Sequence, residues 1–169
     1  MKDGDQFGII VSVFSGCYIV GDPYLNNVKG RAYSYKRVLG AWDDHQTIQA
    51  SDGSDSDRFG QSDYINEKNV VIRAPYRDNG NGPNEGAVYV FTLMEETWTD
   101  DKTITASDVA SGDKFGSSVT IRVDTLLVRA SYKDGYMGAA YVFVLAGDGS
   151  LDKGTKLVPR NGIASRYCQ

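Results

Sequence analysis

Histidine, cysteine and proline are scarce in this 169-residue chain, at one, two and four copies. No apolar run approaches the roughly 18 residues that a membrane-crossing helix needs. The single histidine, His45, sits on a polar turn, Asp43-Asp44-His45-Gln46, and leaves no His-x-x-x-His pair. Cys17 and Cys168 are neither a Cys-x-x-Cys pair nor a disulfide framework, and read as a part-buried thiol and a free tail thiol. There is no Gly-rich phosphate loop. Nucleophile, base and metal site all lack a visible carrier, so the chain reads as non-enzymatic, with no cofactor and no metal. Basic residues are also short, 18 against 22 acidic, for a net charge of −4, which excludes a polybasic nucleic-acid surface. Met1 to Asp5 contains no apolar segment of signal-peptide type. What the chain does hold is glycine, 19 copies, and tyrosine, 11 copies, a pairing that favours short strands and tight turns.

Self-similarity is the main signal. Asp-x-Phe-Gly occurs as Asp5-Gln6-Phe7-Gly8, Asp57-Arg58-Phe59-Gly60 and Asp113-Lys114-Phe115-Gly116, spaced 52 and 56 residues apart. Fourteen residues after each Phe stand Gly21-Asp22-Pro23-Tyr24, Arg73-Ala74-Pro75-Tyr76 and Arg129-Ala130-Ser131-Tyr132, each after an apolar run. A third landmark follows at Gly30-Arg31-Ala32-Tyr33, Gly86-Ala87-Val88-Tyr89 and Gly138-Ala139-Ala140-Tyr141. The fourth runs from Trp42 to Ala50-Ser51-Asp52 and from Trp98 to Ala106-Ser107-Asp108; the last copy has Leu151 in place of Trp and closes on Thr155-Lys156-Leu157. Each landmark carries a strand bounded by turn residues, so each unit is a four-stranded antiparallel meander. The expected fold is all-β with three propeller-type blades, at about 3–52, 53–108 and 109–157, followed by a tail over 158–169. Val11, Val13, Val119 and Ile121 read as inward positions of the first strands, with Asp63 breaking the pattern in the middle copy. Asp63, Arg73 and Arg129 are expected to meet a partner or water, since a buried unpaired charge costs several kcal/mol.

At these residues the chain resembles the FG-GAP repeat family, the β-propeller repeat of integrin α-subunit heads and many surface proteins. Gly21-Asp22-Pro23 and Arg73-Ala74-Pro75 stand as variants of Gly-Ala-Pro. The resemblance implies that Phe-Gly opens the innermost strand of each blade, that the Trp segment leads into the outermost, and that the protein is extracellular or on a cell surface. Integrin-like repeats often hold calcium between their first two strands. Here those turns, Ser15-Gly16-Cys17, Asn66-Glu67-Lys68-Asn69 and Val123-Asp124-Thr125, are too short and too poor in oxygen to wrap an ion that wants six to eight ligands.

In such a meander the turn from second to third strand and the link to the next blade emerge on one face. The loops there offer Tyr24 and Asn26; Tyr76, Arg77, Asp78 and Asn79; and Tyr132, Lys133 and Asp134 as candidate ligand-binding residues. Aromatic faces with polar neighbours suit glycans or peptides, while the same residues also make ordinary turns. The middle loop is four residues longer than its sisters. The link Asp52-Gly53-Ser54-Asp55-Ser56-Asp57 reads as either a partial cation site or a solvated loop.

The resulting expectation is a binding or adhesion module recognising a protein or glycan through one face, with no nucleic acid and no membrane span. The alternatives are a structural subunit that assembles blade to blade and the propeller portion of a larger surface enzyme. Propellers close with about four to eight blades, so three blades imply self-association or a longer propeller. A twofold dimer would close six blades; a non-closing contact would grow a filament.

Overall fold

The computed structural model describes residues 6–61, 63–146 and 150–157. The side chains of Asn26, His45 and Asp63, and the tail with Cys168, lie outside the described residues. The chain runs β1 (Ile10–Phe14), β2 (Cys17–Asp22), α1 (Leu25–Val28), β3 (Arg31–Val38) and β4 (Ala41–Ile48) in the first unit. The second holds β5 (Asp63–Ile65), β6 (Asn69–Ala74), β7 (Ala87–Met94) and β8 (Thr97–Ile104). The third holds β9 (Phe115–Arg122), β10 (Thr125–Ala130), α2 (Lys133–Tyr136), β11 (Ala139–Val144) and β12 (Thr155–Leu157). Each unit is one antiparallel sheet whose strands pair in sequence order. The helical elements are single turns of four residues, α1 and α2, inside the loops between second and third strands.

Local chemistry sets these hairpins. Ser15 and Gly16 both take positive φ, 46° and 82°, as do Leu39 and Gly40 at 50° and 88°. Two successive positive φ values match a hairpin turn to the twist of its strands. Glu95 and Glu96 accept the same conformation at 46° and 69° without glycine, at a cost in strain.

The three sheets pack side by side, with the first strands adjacent, β1 to β5 and β5 to β9, as in blades converging on an axis. There is one apolar core per junction. Ile19, Ala32 and Ile48 of the first blade meet Phe59, Ile65, Val70, Ile72, Tyr89, Phe91 and Trp98 of the second. Val71, Val88, Val90 and Ile104 of the second meet Phe115, Ile121, Leu126, Val128, Tyr141 and Phe143 of the third. Alternate residues of a strand point to opposite faces, so the unbroken apolar run Val70-Val71-Ile72 feeds both cores. Its counterpart in the third blade has only one covered face: Leu126 and Val128 are buried while Leu127 is exposed.

Two expectations for the first strands part company. Ile121 is buried, but Val11 and Val13 are 69% and 61% exposed. Their face is the one that Ile65 and Ile121 turn toward the preceding blade, and none of the described residues covers it. The same gap leaves Phe7 edge-on to Tyr33 and Tyr35 yet half-open to solvent, while Phe59 and Phe115 make the same ring contacts and are fully buried. Trp42 is 59% exposed and Trp98 4%. Arg73 finds one partner across a junction, donating to the Gly116 carbonyl at 2.7 Å, and one in its own blade, the Gln61 carbonyl at 3.4 Å. Arg129 lies on the open outer face of the last blade, exposed to water.

Candidate functional site

The face built from the inter-blade links and the second-to-third-strand loops is held by a repeated backbone lock. The first link runs alongside the first loop through Ser56 N–H to Asn27 C=O, Arg58 to Val28 and Phe59 to Lys29, at 2.9–3.2 Å. The second link repeats this with Gly112 to Pro83, Lys114 to Asn84 and Phe115 to Glu85, at 2.8–3.1 Å. The backbones approach so closely that a Cβ on Gly30 or Gly86 would sit 2.1 Å from the carbonyl oxygen of Phe59 or Phe115. The Phe-Gly pair is therefore where a blade is fastened to the one before it.

Side chains reinforce the lock. Asp52, at the end of the first blade, accepts from the Tyr89 hydroxyl at 2.8 Å and from Arg77 at 2.5 Å, both of the second blade. Asp108 repeats the arrangement with Tyr141 at 2.7 Å and Lys156 at 2.9 Å. Burial, then the hydrogen bond to Asp52, pushes the Tyr89 hydroxyl pKa well above its ordinary value. The same causes act on Tyr141. Burial tends to raise the Asp108 carboxyl, but the Lys156 and Tyr141 hydrogen bonds and the Lys133 charge outweigh it, leaving it below the usual carboxylate range.

These partners determine what becomes of the candidate loop residues. Arg77 turns into Asp52 and Asn79, and Asn79 donates to the Gly86 carbonyl at 2.8 Å. Asp78 accepts from the Asn84 amide, and the fully buried Glu85 carboxylate accepts from the Asn81 amide, so the long middle loop is closed on itself. Lys133 is 5% exposed and bonded to Asp113 at 2.9 Å and to the Asp108 carbonyl. Asp134 pairs with Lys156. Asn26 lies on α1, its side chain outside the described residues. In the acidic link, Asp52 serves Tyr89 and Arg77, Asp55 accepts from Asn27 and Asp57 accepts from the Ser54 amide. Burial pushes the Asp57 carboxyl up. Among the described residues no group of three or more potential metal ligands converges.

The tyrosines remain at the face, and two residues that sequence reasoning passed over join them. Arg58 lies over the Tyr24 ring at 5.1 Å and the Tyr76 ring at 4.0 Å. Lys114 lies over Tyr76 at 4.7 Å and Tyr132 at 4.3 Å. The Tyr132 and Tyr136 rings meet edge to face at 5.0 Å, extending the row to an exposed end. The result is a file, Tyr24, Arg58, Tyr76, Lys114, Tyr132, Tyr136, crossing all three blades. Its signal was present in the sequence: both cations occupy the variable position of Asp-x-Phe-Gly. On the opposite face, a cavity of about 500 Å³ opens between the first two blades, lined by Phe14, Cys17, Lys36, Ile65, Glu96 and Trp98. Burial there pushes the Cys17 thiol pKa up.

Comparison with known proteins agrees with the repeat. The FG-GAP repeat matches residues 42–91 and 98–143, together more than half of the chain. Each match begins at the Trp of an outer strand and ends in the third strand of the next blade, so each spans one whole junction. No curated protein matches the sequence significantly. Among solved structures, the endo-arabinase of Bacteroides thetaiotaomicron is similar at 19% identity and a TM-score of 0.49, over 86% of this chain and 52% of that one. The chain thus spans about half the length of that structure.

Proposed function

The chain belongs to the FG-GAP repeat family, and from that premise we propose that it is a non-enzymatic binding or adhesion module, extracellular or on a cell surface, that recognises a protein or glycan through one face. The observation that supports this most is the file of tyrosines and cations along the face of the links and loops. Aromatic rings with one wet edge suit partners that present both apolar surface and hydroxyl groups. Immobilised polysaccharides and matrix proteins probed with wild type and with a Tyr76→Ala/Tyr132→Ala double variant test it. Retention lost in the variant supports the reading; no retention, or retention indifferent to the variant, overturns it.

A second reading, self-association through the first blade, is favoured by the exposed Phe7, Ile9, Val11 and Val13; the equivalents of Phe7 and Val13 in the later blades, Phe59 and Phe115, Ile65 and Ile121, are covered by a neighbour. A contiguous apolar patch of that kind marks an interaction surface. Val11→Asp should then lower the mass measured by light scattering without loss of fold. An unchanged monomeric mass in wild type would remove the reading.

A further inference from the structure

From the cation–tyrosine file we infer that the partner of this face is an acidic polysaccharide, a sugar chain bearing carboxylates, gripped by Arg58 and Lys114. This deepens the binding reading above and rests on it. Four cations face an acid: Lys36 pairs with Glu96, Arg77 with Asp52, Lys133 with Asp113, and Lys156 with Asp108 and Asp134. Arg58 and Lys114 have no carboxylate partner among the described residues, though the chain carries a net charge of −4. Their charges are held by tyrosine rings, which orient a cation without neutralising it.

They are also fixed in place. Each follows a buried Asp, takes a positive φ (56° and 51°) and donates its backbone N–H into the junction lock. Both lie over the same Tyr76 ring, at 4.0 and 4.7 Å, so the two charges are no more than about 9 Å apart. Two rigid cations at that separation suit an anion that repeats, as the carboxylates along a chain of acidic sugars do. The ring edges between them, and Tyr136 at the open end of the file, offer apolar surface to the sugar rings. The overall negative charge disfavours a densely charged polymer such as nucleic acid, whose binding is dominated by long-range attraction to phosphates. It tolerates a glycan with one carboxylate per sugar, less densely charged than a nucleic-acid duplex and held by local contacts.

Titration calorimetry with polygalacturonate and with its fully methyl-esterified, neutral form tests this. The acidic form should bind at least about tenfold tighter than the ester, and the affinity should fall as salt is raised. Arg58→Gln and Lys114→Gln should each weaken binding about tenfold, one charge-assisted hydrogen bond apiece. Arg58→Lys should retain most of it, and Lys68→Gln, the same charge change on the opposite face, all of it. The far-ultraviolet spectrum of each variant reports its fold. Equal binding of acid and ester, or glutamine variants that bind as wild type, would overturn the charge assignment and leave glycan recognition standing. Tighter binding of polyglutamate than of polygalacturonate would overturn the assignment to sugar. Binding of neither polysaccharide would overturn the inference, while the immobilised panel decides the broader reading separately.

Discussion

Gly86→Ala and Gly40→Ala form a matched pair, because the two glycines have nearly the same φ, 87° and 88°, and differ in what surrounds them. Gly40 sits in the β3–β4 turn with nothing within 4 Å of a Cβ built there, so alanine pays the left-handed backbone cost alone, about 1 kcal/mol. At Gly86 the same Cβ would lie 2.1 Å from the carbonyl oxygen and 2.7 Å from the nitrogen of Phe115. Both obstacles are backbone and cannot rotate aside. The link must therefore retreat by about 1 Å to reach ordinary contact distance. That stretches the bonds from Phe115 to Glu85 and from Lys114 to Asn84, now 2.8 and 3.1 Å. Two weakened hydrogen bonds cost about 1 kcal/mol each, and loosening the fully buried Phe115 ring adds about 1–2 kcal/mol. Gly86→Ala should therefore lose about 4 kcal/mol in all. Urea unfolding followed by tyrosine and tryptophan fluorescence reads the difference. With a slope of about 2 kcal/mol per molar, the two midpoints should separate by about 1.5 M. Midpoints within about 0.3 M of each other would refute the close junction; a Gly86→Ala chain that fails to fold beside a folded Gly40→Ala would support it.

Four further outcomes follow from the same contacts. Tyr89→Phe should cost about 1 kcal/mol in urea unfolding through its bond to Asp52, whereas Tyr33→Phe, whose hydroxyl has no partner among the described residues, should cost under about 0.5 kcal/mol. The Asp108 carboxyl pKa is lowered in the folded state, so its contribution to stability is complete above the ordinary carboxylate range and is lost as pH falls through the lowered value. Asp57, raised by burial, acts in the opposite sense over the carboxylate range, losing stability as it ionises with rising pH; melting from pH 3 to 7 should therefore show a shallower acid limb in Asp108→Asn than in wild type. Ile121→Asp should destabilise by about 4 kcal/mol or prevent folding, and Val11→Asp, on the open face, should leave the melting temperature nearly unchanged. A chelator should leave stability within about 1 kcal/mol of its starting value, because the acidic link spends its carboxylates on protein donors.

Three of the landmarks made the sheets legible because each sits where backbone geometry or packing is demanding. Phe-Gly lies at the close approach, Gly-Ala-x-Tyr where a loop passes the next link, and the apolar triplets where a strand is covered. What the repeat could not convey is whether a neighbour exists. Val11, Val13 and Phe7 carry the pattern of covered residues, yet burial belongs to the pair of blades rather than to the strand, so their exposure is invisible in the letters. The candidate loops were ambiguous for a related reason. Arg77 and Lys133 look like free polar loop residues until Asp52, 25 residues earlier, arrives beside Arg77 from across the junction and Asp113, 20 residues earlier in the inter-blade link, beside Lys133. Meanwhile Arg58 and Lys114 occupied the position a repeat search discards as variable. In a degenerate repeat the constant letters carry the lock between blades, because every copy must solve the same backbone problem. Variable letters next to the lock are held just as rigidly by it, and nothing in the fold dictates their chemistry. Two like charges at such a position, each seated between tyrosines, are therefore a stronger pointer to a partner than the polar loops whose side chains the junction itself consumes.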